Sequence, residues 1–231
     1  CQRAEREFVG VPCGIMDQYV SVFGAANKAI AIDCRSITHK SVSVPQGVAI
    51  VAVNSMVKHQ LGGSAYAERV EECKDAVQSI RMKRLDVQSL RDVSPPELEA
   101  SRDAMDSIPY RRARHVVTEN ERVALFMSAS ESGDLRRMGE LFLQSHRSLQ
   151  HDYEVSCEEL DFLVATAMSI PGVYGARMTG GGFGGCTVNL VNSSKVEEFS
   201  NAIFEAYRHR YQLDAQIILC VPDEGAAEII K

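Results

Sequence analysis

Three short stretches of the sequence combine residue types that could do chemistry. The most unusual is RMTGGGFGGC, which runs from Arg177 to Cys186 and holds five glycines within six positions. Glycine loses the most conformational freedom on folding, so such a cluster is costly unless the backbone needs positive φ angles or a close approach. Because successive exposed N–H groups form an anion-binding nest, a phosphate is the first ligand to consider. The stretch matches neither the P-loop, whose Lys-Ser/Thr pair it lacks, nor the dinucleotide fingerprint.

The second stretch, CGIMDQ, places Asp17 among apolar residues shortly after Gly14. A carboxylate enclosed by Ile15, Met16 and Val20 would be costly unless it is paired or used in chemistry. From these residues alone, a helix N-cap or a buried structural pair explains Asp17 as well as catalysis does.

The third stretch, LGGSAYAERVEEC, has small residues before a helix start and Tyr66 in the first turn. A helix N-terminus with free N–H groups suits an anion or a polyol. Tyr66 also falls on the apolar face of that helix, where a tyrosine is more often part of the core. Both interpretations of Tyr66 remain open at this point.

Composition excludes several classes of partner. The chain has 231 residues, 45% of them hydrophobic and 24% charged, as in an ordinary globular protein. Its net charge of −6 argues against nucleic acid or an anionic membrane surface as the main partner, since both need a dense positive face. Its seven cysteines form no C-x-x-C pair, which indicates neither a disulfide framework nor a zinc site. A reducing, cytoplasmic location fits this cysteine usage.

The periodicity of apolar residues predicts the elements that must position these stretches. A buried strand is predicted at residues 48–55, and strands are also predicted on both sides of the glycine stretch and at residues 215–221. Helical faces are marked by Tyr66, Val70, Cys73, Val77 and Ile80, by Val116, Asn120, Val123 and Met127 before a stop at Gly133, and by residues in 135–149, 158–170 and 196–207. The order is a split β-α-β plan repeated twice, with extra helices in the first half. We therefore expect an α+β fold, with an antiparallel sheet that carries helices on one side.

Taken together, the three stretches resemble the galactokinase branch of the GHMP small-molecule kinases. The resemblance rests on VGVPCGIMDQ, SAYAERVEEC and RMTGGGFGGC in this order, and it continues through AIDCRS, HVVTENERV, GDLRRMGELFLQSH and DYEVSC. It implies a ferredoxin-like GHMP kinase C-terminal domain at residues 47–231. Residues 1–46 would then be the remnant of a ribosomal-protein-S5-like N-terminal domain.

The resemblance also implies an activity, which is the ATP-dependent phosphorylation of the anomeric hydroxyl of galactose. Asp17 matches the catalytic aspartate, which either removes the proton of that hydroxyl or orients it. Gly14 and Tyr66 match positions that contact the sugar, and Glu5 matches a glutamate that helps to hold Mg²⁺. The glycine stretch, with Gly180, Gly181, Gly182 and Gly184, matches a supporting loop near the sugar and the transferred phosphoryl group. Lys58 matches a basic position near the site.

Some expected parts of such a kinase are missing from the sequence. The sugar-binding motif and the main phosphate loop of the family precede the match to GIMDQ, and this chain contains neither. We therefore expect a fragment that is inactive alone. Three alternatives stay open for the whole protein: a sugar sensor without turnover, a sister kinase for N-acetylgalactosamine, arabinose or galacturonate, and an independent ferredoxin-like binding module.

Overall fold

A computed structural model describes residues 1–10, 13–58 and 62–227. The strands are β1 (Lys28–Asp33), β2 (Thr38–Ser43), β3 (Val48–Lys58), β4 (Val173–Met178), β5 (Gly184–Asn192) and β6 (Gln216–Cys220). The α-helices are α1 (Met16–Phe23), α2 (Gly62–Arg81), α3 (Pro95–Ala100), α4 (Ser107–Ser132), α5 (Leu135–Ser148), α6 (Glu158–Ser169) and α7 (Val196–Tyr211). Two π-helical turns lie at Ala4–Val9 and Leu149–Tyr153, and short 3₁₀ turns lie at Leu90–Asp92, Arg102–Ala104 and Ser193–Lys195.

The larger sheet has four strands in the order β4-β5-β3-β6, and all its neighbours are antiparallel. Strand β3 is central because its apolar, β-branched residues suit a position between two partners. Val51, for example, pairs with Asn189 of β5 on one side and Leu219 of β6 on the other. The chain passes from β3 through α2 to α6 into β4, and from β5 through α7 into β6. This order confirms the predicted split β-α-β plan with inserted helices.

Helices cover both faces of this sheet, so the prediction of helices on one side is wrong. On one face, Val51 and Val191 pack in a core with α6 and α7. On the opposite face, Ile50 and Leu190 pack against α4 and α5. Residues 48–53 of β3 are apolar at successive positions, which is the pattern of a strand that is buried on both faces.

Helix α5 lies directly against β4, the strand that leads into the glycine stretch. A Cβ atom on Gly139 of α5 would lie only 1.7 Å from the carbonyl oxygen of Tyr174, so no larger residue fits there without movement of the backbone. Gly175 faces Gly139 with similarly little room. The pair of glycines thus fixes α5 and β4 at backbone contact.

The β1–β2 hairpin forms a separate two-stranded sheet. Ion pairs between Arg35 and Asp92 (2.8 Å) and between Arg91 and Asp33 (2.6 Å) join it to the segment after α2. The predicted domain boundary at residue 46 falls between β2 and β3, and the division into two domains stays a prediction. None of the described helices is both long enough and apolar enough to cross a membrane.

Candidate active site

Residues 180–185, which we call the glycine loop, form the tip of the hairpin between β4 and β5. The backbone N–H of Thr179 donates to the carbonyl of Cys186 across the base of this tip (2.9 Å). The chain then turns through positive φ angles at Gly180 (+78°), Gly182 (+84°) and Phe183 (+58°). Because Gly181 lacks a positive φ angle, left-handed residues alternate with another conformation at 180–182, and such alternation turns neighbouring N–H groups toward one side, as in an anion-binding nest.

Two glycines of this loop serve different purposes. A Cβ on Gly182 would lie 2.2 Å from the carbonyl oxygen of Val155, so this glycine is required by internal packing. A Cβ on Gly181 would meet no atom of the chain within 4 Å, and the φ angle of Gly181 lies outside the left-handed region. The fold itself therefore gives no reason for a glycine at 181, whereas a ligand that approaches the backbone closely would.

The glycine loop is supported from below by groups that the sequence did not single out. The N–H of Phe183 donates to the carbonyl of Val155 (2.8 Å), and the N–H of Met178 donates to Nδ1 of His146 (3.3 Å). Nε2 of His146 lies 3.3 Å from the Asp161 carboxylate. Burial raises the pKa of Asp161, but hydrogen bonds from His146, Ser156 and Gln150 outweigh that effect and lower it overall. No local motif marks these residues, because each contact joins distant parts of the sequence.

Arg177, the first residue of the glycine stretch, is a structural residue. It donates from Nη1 to Glu119 (3.2 Å) and from Nε to the carbonyl of Met178 (3.0 Å). Burial lowers the pKa of Arg177, and the neighbouring Glu119 carboxylate opposes that shift. The stretch therefore divides into Arg177, a half-buried residue held by hydrogen bonds, and the open glycine loop.

Tyr66 lies in the first turns of α2 with 41% of its surface exposed. The interpretation of Tyr66 as a core residue is therefore wrong. The buried face of α2 carries Ala76 and Ile80 instead, and it reaches Arg69 at its N-terminal end. No other side chain that the structure describes makes a hydrogen bond with the Tyr66 hydroxyl.

The start of α2 lies near the glycine loop, because β3 leads directly toward it. Lys58, the last residue of β3, pairs with Gly184 of β5, and α2 begins at Gly62. A β-bulge between Asn54 and Lys58 interrupts the ladder just before this point. The side chain of Lys58, for which a basic role near the site was predicted, lies outside the described residues.

Asp17 is an exposed residue in the first turn of α1, so the predicted enclosure by apolar neighbours is wrong. Met16 and Val20 are themselves 56% and 43% exposed. No described side chain forms an ion pair or hydrogen bond with the Asp17 carboxylate, and the side chain of Asp17 is not the N-cap of α1. The positive end of the helix dipole favours a carboxylate at this position.

Glu5 lies beside α1, the helix of Asp17, and its magnesium role stays a prediction. Its Oε1 accepts a hydrogen bond from the amide of Gln18 (2.5 Å), the residue that follows Asp17. Gly14 is exposed in the segment that leads into α1. One carboxylate with an oxygen left over can serve a Mg²⁺ ion that is otherwise bound by water and phosphate oxygens. Glu5 therefore fits a single-ligand role; within the described residues no cluster of three or more acidic, His or Cys side chains could hold a metal.

The predicted site residues thus fall into two groups. Glu5, Gly14 and Asp17 lie around the start of α1, whereas Tyr66 lies in the first turns of α2 and the glycine loop pairs with the end of β3. Among the described residues, no hydrogen bond or ion pair joins the two groups. A cavity of about 310 Å³ between the β1–β2 hairpin and helices α4 and α5 is lined by other residues and belongs to neither group.

Comparison with known proteins agrees with the fold and with the motifs. Residues 126–209 match the family model described as GHMP kinases C terminal. The crystal structure of Lactococcus lactis galactokinase complexed with galactose superimposes with a TM-score of 0.92 and 38% identity, over 99% of this chain and 59% of that chain. The fold of this chain is that of a GHMP kinase C-terminal domain.

Galactokinases are homologous to the chain along nearly all of its length. The galactokinase of Roseiflexus sp. (strain RS-1) is 44% identical over 229 residues, which are 99% of this chain and 59% of that protein. The galactokinase of Bos taurus is 49% identical over 208 residues, which are 90% of this chain and 52% of that protein. The GHMP kinase C-terminal domain and the residues before it thus span 52–59% of the length of these relatives.

Proposed function

We propose that the protein to which this chain belongs is a galactokinase, which transfers the γ-phosphoryl group of ATP to the C1 hydroxyl of galactose. In this reaction a bond forms between the C1 oxygen and the γ-phosphorus, the bond from that phosphorus to the β-γ bridging oxygen breaks, ADP leaves, and the hydroxyl proton passes to Asp17 or to solvent. Homology to galactokinases and the exposed, unpartnered carboxylate of Asp17 support the proposal. The Asp17 carboxylate is the single observation on which it depends most.

Asp17 would accept the hydrogen bond of the C1 hydroxyl and hold its oxygen toward the γ-phosphorus. Phosphoryl transfer depends on positioning and on stabilisation of charge, so a fixed carboxylate at a helix start is adequate for this role. The free hydroxyl of Tyr66 would contact another sugar hydroxyl. The open backbone at Gly180 and Gly181 would face the sugar and the transferred group.

Glu5 would hold Mg²⁺ through its carboxylate, together with phosphate oxygens of ATP. The ion neutralises phosphate charge when it is bound. Gln18 would keep the Glu5 carboxylate beside Asp17 through the hydrogen bond described above. The two acidic residues would then act on the same nucleotide end of the site.

Substitution of Asp17 in the intact protein tests the proposal. We expect Asp17→Asn to lower galactose-dependent ADP release by at least about 100-fold, as for removal of a group that handles a reacting proton. Affinity for ATP, measured by titration calorimetry, should remain within about twofold. Glu7→Gln is the matched control, since Glu7 is an acid in the same N-terminal segment and, among the described side chains, pairs only with exposed Arg3. Turnover retained by Asp17→Asn would remove Asp17 from the mechanism.

We also propose that residues 1–231 alone lack kinase activity. Asp17 and the glycine loop lie in two groups that no described hydrogen bond or ion pair joins, and the sequence lacks the phosphate loop expected from the resemblance. The same ADP-release assay on this chain should give no galactose-dependent rate. A rate near that of the intact protein would contradict this part of the proposal.

A further inference from the structure

Arg112 of α4 is the most deeply buried charged residue among the described side chains, with 1% of its surface exposed. Burial of an arginine is costly unless the cation is paired and hydrogen-bonded. Arg112 meets that condition with three donors: Nε donates to Glu72 (2.7 Å), Nη1 to the carbonyl of Asp152 (2.6 Å) and Nη2 to Glu154 (2.6 Å). One guanidinium group therefore joins α2, α4 and the segment that follows α5.

On the side of α2, the contact leads toward Tyr66. Oε2 of Glu72 also accepts from Nη1 of Arg69 (2.5 Å), which lies three residues after Tyr66 and is only 9% exposed. Burial raises the pKa of Glu72, but hydrogen bonds from Arg112 and Arg69 outweigh it and lower the pKa overall. The Glu72 carboxylate is thus shared by the two arginines.

On the other side, the contact leads toward the glycine loop. Arg112 binds the carbonyl of Asp152 and the carboxylate of Glu154, the residue just before Val155. Glu154 has a φ angle of +56°, a left-handed conformation that a non-glycine residue adopts at a cost. Arg111 and Arg112 both hold its carboxylate. Val155 is the residue on which Gly182 and Phe183 rest.

We propose that Arg112 is a positioning residue. Together with Glu72, it couples α2, the helix of Tyr66, to Glu154 and Val155, the residues that support the glycine loop. The coupling fixes the distance between the Tyr66 hydroxyl and the open backbone at Gly180 and Gly181, so its catalytic consequence rests on the proposed galactokinase function. Lysine cannot replace Arg112, because a single ammonium group cannot reach acceptors on two segments as the planar guanidinium fork does.

Two variants of the intact protein test the coupling. Arg112→Lys keeps the charge but loses the fork, and Glu72→Gln keeps the shape but loses the shared carboxylate. We expect both to raise amide exchange in the glycine loop, measured by hydrogen exchange with mass spectrometry. We also expect kcat/KM for galactose to fall about tenfold or more, since small displacements of positioning groups have large kinetic effects. KM for ATP should change by less than about twofold.

Arg84→Lys is the matched control. Arg84 pairs with Asp86 and Glu97 and donates to the carbonyl of Asp92, and among the described residues it forms no hydrogen bond or ion pair with Arg112, Glu72 or Glu154. It should leave loop exchange and kinetics unchanged. The assays are run well below the unfolding midpoint of each variant, so that an effect on positioning is not confused with an effect on stability. The proposal would be overturned if Arg112→Lys and Glu72→Gln only lowered the unfolding midpoint and kept the loop exchange and kcat/KM of the wild-type protein. If the wild-type protein has no activity with galactose, the proposed function fails, and faster loop exchange in the variants would still establish the coupling.

Discussion

Gly181 and Gly182 are neighbours whose missing side chains have different physical reasons. At Gly182 the Val155 carbonyl leaves no room for a Cβ, so selection for folding alone would retain glycine. At Gly181 there is open space and no left-handed backbone. The open position is therefore the one that reports on ligand binding.

Alanine substitutions separate these two roles. We expect Gly182→Ala to lower the free energy of unfolding by about 2–4 kcal/mol, because it adds a backbone clash to a strained φ angle. Gly181→Ala should change stability by less than about 0.5 kcal/mol, yet it should lower kcat/KM for galactose about tenfold or more in the intact protein. Urea unfolding and steady-state kinetics measure the two effects. Normal kinetics in Gly181→Ala would remove this part of the loop from the site.

The resemblance pointed to Asp17, Tyr66 and the glycine loop, whereas local reasoning from the sequence left a buried role open for Asp17 and a core role open for Tyr66. Tyr66 shares its helical period with the buried Ile80, yet it is exposed in the first turns of the helix. Asp17 has apolar neighbours along the chain, but those neighbours are exposed as well. Periodicity describes the face of a helix; it does not describe where along its axis burial begins.

At the scale of elements, α4 also shows that apolar periodicity does not tell which residues along a helix are buried. Its end at Gly133 is confirmed, with a left-handed φ angle of +71° that favours glycine. Its predicted face included Asn120 and Val123, which are exposed. The buried residues are Ala113 and Val117 in the first half, whereas Arg112 and His115 are buried through polar partners that no apolar pattern could predict.

His115 joins α4 to the turn after α5. It stacks on Tyr153 and bonds through Nδ1 to Ser148 (3.0 Å), whose own hydroxyl donates to Asp152 (2.9 Å). The Ser148 proton is therefore committed to Asp152, so the neutral imidazole carries its proton on Nδ1. Burial lowers the pKa of His115 from 6.5 to about 4, with Arg122 and Arg177 adding to the shift and Glu119 and Asp152 opposing it.

This shift predicts a pH dependence of stability. Between pH 7 and 5 the unfolded chain protonates this histidine while the folded chain does not, so stability falls as pH falls. The contribution of His115 to that fall is about 2 kcal/mol. His115→Phe keeps the ring stack with Tyr153 but cannot be protonated. From pH 7 to pH 5, the variant should therefore lose about 2 kcal/mol less unfolding free energy than the wild-type protein loses. Urea unfolding at both pH values measures it; equal losses in both proteins would contradict the assignment.

At the scale of the whole molecule, the sequence order of strands and helices was sufficient to predict the ferredoxin-like plan. It was not sufficient to predict that α4 and α5 cover the second face of the sheet, although the unbroken apolar run in β3 carried that information. The support of the glycine loop by Val155 and His146 depends on packing between distant segments. It could be found only in the folded structure.

The two groups of site residues lie on different parts of this architecture. Glu5 and Asp17 belong to the segments before the β1–β2 hairpin, whereas Tyr66 and the glycine loop belong to the four-stranded sheet and its helices. A reaction that uses all of them requires the two parts to face one sugar. The central claim is that they do so in a galactokinase.

Phosphorus NMR of the reaction product tests that claim most directly. The intact protein is incubated with ATP, Mg²⁺ and either galactose, N-acetylgalactosamine, arabinose or galacturonate, in wild-type and Asp17→Asn forms. The account predicts that the wild-type protein forms galactose 1-phosphate in preference to the other sugar phosphates, and that the variant forms none at a comparable rate. No sugar phosphate from galactose, or a clear preference for another sugar, would contradict it.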